Sequence, residues 1–239
     1  TITGPVTLGA AVTIDTDAAA NDGKIDFEGA TSTINGGQTL SLQAGSADID
    51  VGGIIGGTTA VTSLDFDGAT ITILDIGDAD TVGVTGATDI NAATRLIFAG
   101  TTYKANQQTY TAPAEQNFLI NGGAATTFTS SNDAIAFNTG NLLLANGSDL
   151  IVTAAGGAVT MLAIRGNSSE DVTLTSTGGD TNTISVGAIG NADEINTVAL
   201  TATGGITLNG DITTSNAIGN TVTITGPVTL GAAVTIDTD

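Results

Sequence analysis

The chain begins and ends with the same seventeen residues. Positions 1–17 read TITGPVTLGAAVTIDTD, and positions 223–239 repeat that string without a substitution. A verbatim match of this length predicts one full repeat at 1–222, with the start of the next identical repeat at 223–239. Such copies favour an architecture in which each structural unit stacks on its neighbours.

The composition favours a narrow β-rich interior over an ordinary globular core. Aromatic residues make up 3% of the chain, Trp and His are absent, and 33 Gly accompany only 3 Pro. A wide core depends on large side chains, so here Ala, Val, Ile and Leu must fill the interior. Disorder is disfavoured, because 41% hydrophobic residues and a mean hydropathy of +0.29 are too apolar for a disordered chain.

Short β-branched runs between Gly, Asn or Asp residues predict many short strands. Alternation along these runs places every second side chain inside. In the last runs of the chain, the residues expected inside are Val222, Ile224, Val228, Leu230, Val234 and Ile236. Seven Gly-Gly pairs are expected at the corners, where they supply positive φ: Gly36-Gly37, Gly52-Gly53, Gly56-Gly57, Gly122-Gly123, Gly156-Gly157, Gly178-Gly179 and Gly204-Gly205.

Recurring Thr-x-Thr motifs indicate the length of one turn. The motifs that start at Thr181, Thr201 and Thr221 lie 20 residues apart. A turn of about 20 residues, with three strands and three corners, predicts a parallel β-helix of about 11 turns per repeat, rising about 53 Å. An antiparallel sandwich array is the main alternative, but Gly corners only five to eight residues apart leave too little room for its paired strands.

Two stretches carry a family resemblance. GGIIGGTTAVTSLDFDGATITI (52–73) and VALTATGGITLNGDITTSNAIGNTVTITGPVTL (198–230) resemble the repeat regions of filamentous haemagglutinin-like giant adhesins. The resemblance implies an all-β, right-handed parallel β-helix, or β-solenoid, that is secreted and held at a bacterial surface. It also implies a role in adhesion or as an extended stalk.

The charge is one-sided and limits the partners. The chain has 24 acidic against 4 basic residues, for a net charge of -20. This charge repels nucleic acid and anionic lipid, and no apolar run is long enough to enter a bilayer. The partners expected are further copies of the repeat end to end, lateral fibre partners or a cell-surface receptor, and cations.

Closely spaced acidic residues suggest a calcium site. Asp15, Asp17, Asn21 and Asp22, beside Gly23, offer the oxygen ligands and the flexible turn that Ca²⁺ accepts. The alternative is a solvated acidic rim that keeps the chain soluble. No other cofactor is expected.

Catalysis is not expected. The absence of His and Cys removes the usual nucleophile and base pairs. A polysaccharide-binding or polysaccharide-cleaving β-helix is an alternative, although few aromatic residues are present to hold a sugar. An ice-binding threonine array is another. The segment 95–117, which holds Tyr103 and Tyr110, is either an ordinary set of turns with a longer corner or a protruding loop.

Overall fold

A computed structural model describes residues 1–17, 21–114, 118–145, 147–166 and 170–238. In these ranges the chain forms β-strands joined by turns, and no helix. The strands are β1 (Val6–Thr7), β2 (Val12–Asp15), β3 (Ile25–Phe27), β4 (Ile34–Asn35), β5 (Thr39–Gln43), β6 (Ile49–Val51), β7 (Ser63–Ile73), β8 (Val84–Phe98), β9 (Thr102–Thr111), β10 (Phe118–Ile120), β11 (Thr126–Ser130), β12 (Ile135–Asn138), β13 (Leu142–Leu144), β14 (Leu150–Ala154), β15 (Val159–Met161), β16 (Ile164–Arg165), β17 (Asp171–Ser176), β18 (Thr183–Val186), β19 (Thr197–Ala202), β20 (Gly205–Leu208), β21 (Ile212–Thr213), β22 (Val222–Thr225), β23 (Val228–Leu230) and β24 (Ile236–Asp237).

All strand pairings are parallel and build three faces, each followed here by one inward residue per turn. The first face runs Val12, Leu40, Leu64, Thr88, Gln108, Ile135, Val159, Ile184, Ile206, Val228. The second runs Ile25, Ile49, Ile71, Leu96, Phe118, Leu142, Ile164, Ile189, Ile212, Ile236. The third runs Val6, Ile34, Ile55, Ile76, Tyr103, Phe128, Val152, Leu174, Leu200, Ile224. The predicted β-solenoid is therefore confirmed.

The turns are longer and fewer than predicted. Nine steps lead from Val12 to Val228, which gives about 24 residues per turn (228 minus 12, over nine). The solenoid has about 9 turns. The 20-residue Thr-x-Thr interval misled because those motifs do not stack: Thr201 instead pairs with Thr175 in the turn below and with Thr225 in the turn above. Threonine recurs through its β-propensity, whatever the length of the corners.

Alternation fills the interior as expected, except that the middle turns contain a large aromatic cluster. All six Phe and both Tyr of the sequence are buried. The rings of Phe98, Tyr103, Tyr110, Phe128 and Phe137 lie within 6.0 Å of at least one neighbour in the cluster, centroid to centroid. The core is therefore wider here than the low aromatic content suggests.

The segment that holds the tyrosines is an ordinary part of the solenoid. β8 stacks on β7, β9 stacks on β8, and both phenol rings point into the core. The Tyr103 hydroxyl donates to the carbonyl of Leu74 at 2.8 Å and accepts from the N–H of Gly100 at 3.0 Å. The protruding-loop alternative is wrong for residues 95–111, and Glu115, Gln116 and Asn117 lie outside the described residues.

The glycine pairs serve two purposes, of which only one was predicted. Five pairs contain a positive φ, as at Gly178 with φ 135°. Gly52-Gly53 and Gly156-Gly157 do not, and there glycine is needed because neighbouring turns approach closely. A Cβ on Gly157 would lie 2.3 Å from the backbone N of Ala134, one turn below.

The last turn differs from the prediction in its burial. Val228, Leu230 and Ile236, which were expected inside, are 48%, 62% and 48% exposed. Their register on β20 and β21 still directs them inward, but no further turn covers them. Val222, Ile224 and Val234 are half-buried for the same reason.

Candidate interaction surfaces

An acidic corner brings together some of the predicted calcium ligands. The Asp15 carboxylate accepts the N–H of Asp17 at 2.9 Å. The Asp22 carboxylate accepts both the N–H of Ser46, at 2.6 Å, and its hydroxyl, at 2.5 Å. Asn21 is exposed at the same corner. Ser46 lies 24 residues after Asp22, so only the true turn length would have identified it from the sequence.

The carboxylates of Asp17 and Asp22 meet over Gly45. A Cβ on Gly45 would lie 2.8 Å from an oxygen of each, so a larger residue there would have to displace the two carboxylates. The negative charge of Asp22 raises the pKa of the Asp17 carboxyl, with smaller contributions from burial and from Asp15. The hydrogen bonds from Ser46 lower the pKa of Asp22.

The calcium site predicted from the sequence stays a prediction. Within the part of the chain that the structure describes, no group of three or more His, Cys, Asp or Glu residues is placed to hold a metal ion. The Asp22 carboxylate is held by protein contacts, since Ser46 provides two donors to it.

Several acidic residues connect one turn to the next at the corners. The Asp48 carboxylate accepts the N–H of Thr70 at 3.0 Å, and the Asp211 carboxylate accepts that of Thr235 at 2.7 Å. Asp171 accepts the N–H of Thr197 at 3.0 Å and its hydroxyl at 2.7 Å. Thr70 follows the register shift of β7, Thr197 begins β19 and Thr235 precedes β24, so these carboxylates accept N–H groups at irregular or end positions of the strands. Part of the acidic excess is therefore structural.

Acidic residues are concentrated at the N-terminal end of the solenoid, which is its acidic end. Thirteen of the 24 acidic residues lie at or before Asp89 in the sequence. On the outer side of the first face Asp65 lies under Asp89, and Asp67 accepts a hydrogen bond from Asn91 at 2.9 Å. On the second face Asp26 lies under Asp50, and Lys24 pairs with Asp50 at 2.5 Å.

The outer side of the third face carries a threonine array. Its main column is unbroken over five turns: Thr129, Thr153, Thr175, Thr201 and Thr225. The column two residues before it holds Thr127, Ile151, Thr173, Ala199 and Thr223. Parallel stacking sets the Cα atoms within a column about 4.8 Å apart along the axis and the two columns roughly 6.6 Å apart across it. The threonines of this face therefore form a stacked column, at a spacing that the 20-residue interval did not give, and ice binding stays a prediction.

One surface groove presents carboxylates of the kind that a carbohydrate site could use. Asp26, Glu28 and Asp50 line it beside Thr72 and Ala99. Every aromatic side chain of the sequence is buried, so none is available at the surface to stack on a sugar ring. The groove has carboxylates but lacks the aromatic platform that usually holds a polysaccharide.

The fold defines the class of this chain as a β-solenoid of about nine turns. No protein-family model, curated protein or solved structure matches it. Among the described residues no helix is long and apolar enough to cross a membrane.

Proposed function

We propose that the chain is a structural repeat unit of a long extracellular fibre, stalk or adhesin on a bacterial surface, where it acts as a stiff scaffold for attachment or cell-cell contact. One observation carries the proposal: the two open ends of the solenoid have the same seventeen-residue sequence. A stack that ends on the segment with which it starts is suited to continue into another copy.

Stiffness follows from the way the turns are joined. Strands of all three faces pair with the turn before and the turn after, so hydrogen bonds run along the axis. Bending such a stack requires many of these bonds to stretch together. The resemblance of 52–73 and 198–230 to filamentous haemagglutinin-like repeats supports the bacterial surface and the adhesive role, and the negative charge favours solubility outside the cell.

The proposal is tested by lengthening the chain. Each added 222-residue copy should extend a rigid rod by about 45 Å, since roughly nine and a third turns rise about 4.8 Å each. Electron micrographs of chains with one, two and three added copies measure this increment. Separate beads joined by flexible linkers, or an increment far from 45 Å, would contradict a scaffold role.

Ice binding is a second candidate, favoured by the threonine array of the third face. Regularly spaced hydroxyls on a flat, rigid sheet offer a surface on which water can order. Wild-type protein should then show thermal hysteresis, and Thr175→Tyr, in the centre of the array, should abolish it. Thr160→Tyr, on the outer side of the first face, is the matched control and should retain it. Absence of hysteresis in the wild type removes this candidate.

A further inference from the structure

The two identical segments occupy different faces. Ile2 pairs with Phe27 on the second face, whereas its equivalent Ile224 pairs with Leu200 on the third. The same shift applies to the residues that follow. Val6 lies on the third face and Val228 on the first.

Ile14 and Ile236 extend the pattern. Ile14 pairs with Leu42 on the first face, and Ile236 pairs with Ile212 on the second. Each equivalent residue has therefore moved forward by one face of the three. One 222-residue repeat corresponds to nine complete turns plus one further face.

The inward side of the segment is the same in both places. Leu8 is 6% exposed, and its equivalent Leu230 points toward the core from above Leu208, although 62% of it is exposed. The two copies use opposite edges. The first segment pairs with the turn that follows it, and the second pairs with the turn that precedes it.

We propose that successive copies form one unbroken solenoid in which every copy is rotated by one face relative to the copy before. The open end formed by β22, β23 and β24 is the docking surface, and its occupant is the next copy of this chain. This inference rests on the proposed function. In the joined solenoid Val228 lies between Ile206 below it and Ile34 of the second copy above it.

Turn length favours the rotated junction. In the rotated arrangement Thr235 pairs with Ser41 of the second copy, just as its equivalent Thr13 pairs with Ser41 in the first copy. An arrangement without rotation would instead place Ser41 of the second copy over Thr229, the equivalent of Thr7. The turn that joins the two copies would then contain more residues than in the rotated arrangement, by the stretch from Thr7 to Thr13. The step from Thr13 to its stacked partner Ser41 already contains as many residues as any step between stacked partners along the three faces of the described turns. The junction without rotation would therefore need a turn longer than any that the solenoid contains.

Rotation has a consequence for what the fibre presents. Three copies, roughly 134 Å, are needed before a given residue returns to the same side. The threonine array and the acidic end would therefore appear on all three sides in succession. A fibre built this way offers equivalent surfaces to neighbours in every direction.

Cysteine pairs test the rotation in a chain that has no Cys of its own. The full chain is extended by a second copy of residues 18–239, joined directly to Asp239. One variant carries Thr235→Cys with Ser41→Cys in the second copy, and the other carries Thr229→Cys with the same Ser41→Cys. Adjacent parallel strands hold Cα atoms about 4.8 Å apart, within the range that a disulfide spans. Thr13→Cys with Ser41→Cys in the unextended chain is the positive control.

Mild oxidation should cross-link the Thr235 variant as fully as the control and leave the Thr229 variant reduced. Cross-linking of the Thr229 pair alone would overturn the rotation, and cross-linking of neither would overturn the continuous junction. Micrographs separate this result from the proposed function. A rigid rod of the expected length with the wrong pair linked refutes only the rotation, whereas flexible beads refute the fibre scaffold as well.

Discussion

The ring of Tyr103 stacks on the ring of Phe128, with centroids 4.7 Å apart and planes 14° from parallel. The two residues are consecutive members of the third face, so parallel stacking of turns places one ring above the other. Phe98, Tyr110 and Phe137 surround Phe128 at 4.9, 5.9 and 5.1 Å. Phe128 is therefore the centre of the aromatic cluster.

Phe128→Ala should lower the free energy of unfolding by about 3 to 5 kcal/mol, because it leaves a cavity among four rings that cannot collapse around it. Thr127→Ala, one residue earlier and outward-facing, is the control and should change it by less than about 0.5 kcal/mol. Denaturant unfolding followed by tyrosine fluorescence and by circular dichroism measures both. Equal effects of the two variants would contradict the central position of Phe128.

Thr88 is an inward residue that breaks the apolar series of the first face. It is 1% exposed, and its hydroxyl has no hydrogen-bond partner among the described residues. Thr88→Val removes a buried unpaired hydroxyl at nearly constant shape and should raise the free energy of unfolding by about 1 kcal/mol. Thr109→Val, on the outer side of β9, should have little effect. A loss of stability in Thr88→Val would show that the hydroxyl is satisfied in solution.

The corner carboxylates that accept hydrogen bonds from the next turn should stabilise the fold. The net charge alone would suggest the opposite, that removing an acidic residue raises stability. Asp171 accepts hydrogen bonds from the side chain of Asn196 and from the backbone and hydroxyl of Thr197. Asp171→Ala should lower the free energy of unfolding by about 1 to 2 kcal/mol, because the N–H of Thr197 loses its acceptor. Asp193→Ala removes an equal charge from an exposed position and is the control. If general repulsion dominated, both variants would instead be more stable than the wild type.

The pH dependence has a defined sign at Asp89. Partial desolvation of the exposed Asp89 side chain, and then the negative charge of Asp65, raise the pKa of Asp89 above its ordinary value of 3.8. The folded state therefore holds this proton more tightly than the unfolded state, so stability increases as pH falls through the folded pKa, and the gain is complete below 3.8. Asp89→Asn should be more stable than the wild type at pH 7 and gain less on acidification. Melting temperatures measured between neutral pH and about 4 test this difference, with Asp180→Asn as the control. Equal slopes of melting temperature against pH for the wild type and Asp89→Asn would contradict it.

The sequence was sufficient for the fold class but not for the stacking register. Alternation in runs such as Val222–Thr225 correctly predicted strands and their inward sides, since period-two burial is a local property. Register depends on the corners, whose lengths vary from turn to turn. For that reason neither the partner of Thr201 nor the contact between Asp22 and Ser46 could be predicted. The corner carboxylates were also not recognised as links between turns, because a carboxylate that accepts an N–H from the next turn has no local sequence signal.

The open end predicts a gradient of mutational cost along the third face. Leu200 is fully buried between Leu174 and Ile224, whereas Ile224 is covered only from below. The sequence alone placed Ile224 inside, where Ile224→Asp would cost several kcal/mol. The structure moves that cost to Leu200→Asp, which buries an unpaired carboxylate and should destabilise by several kcal/mol, roughly 3 or more. Ile224→Asp should cost clearly less, because water reaches its side of the last turn.

When a second copy is joined to Asp239, Ile224 becomes an interior residue, and Ile224→Asp should then cost about as much as Leu200→Asp. Thermal unfolding of both variants in the two chain lengths measures this change, and an unchanged cost of Ile224→Asp in the longer chain would show that the end stays open.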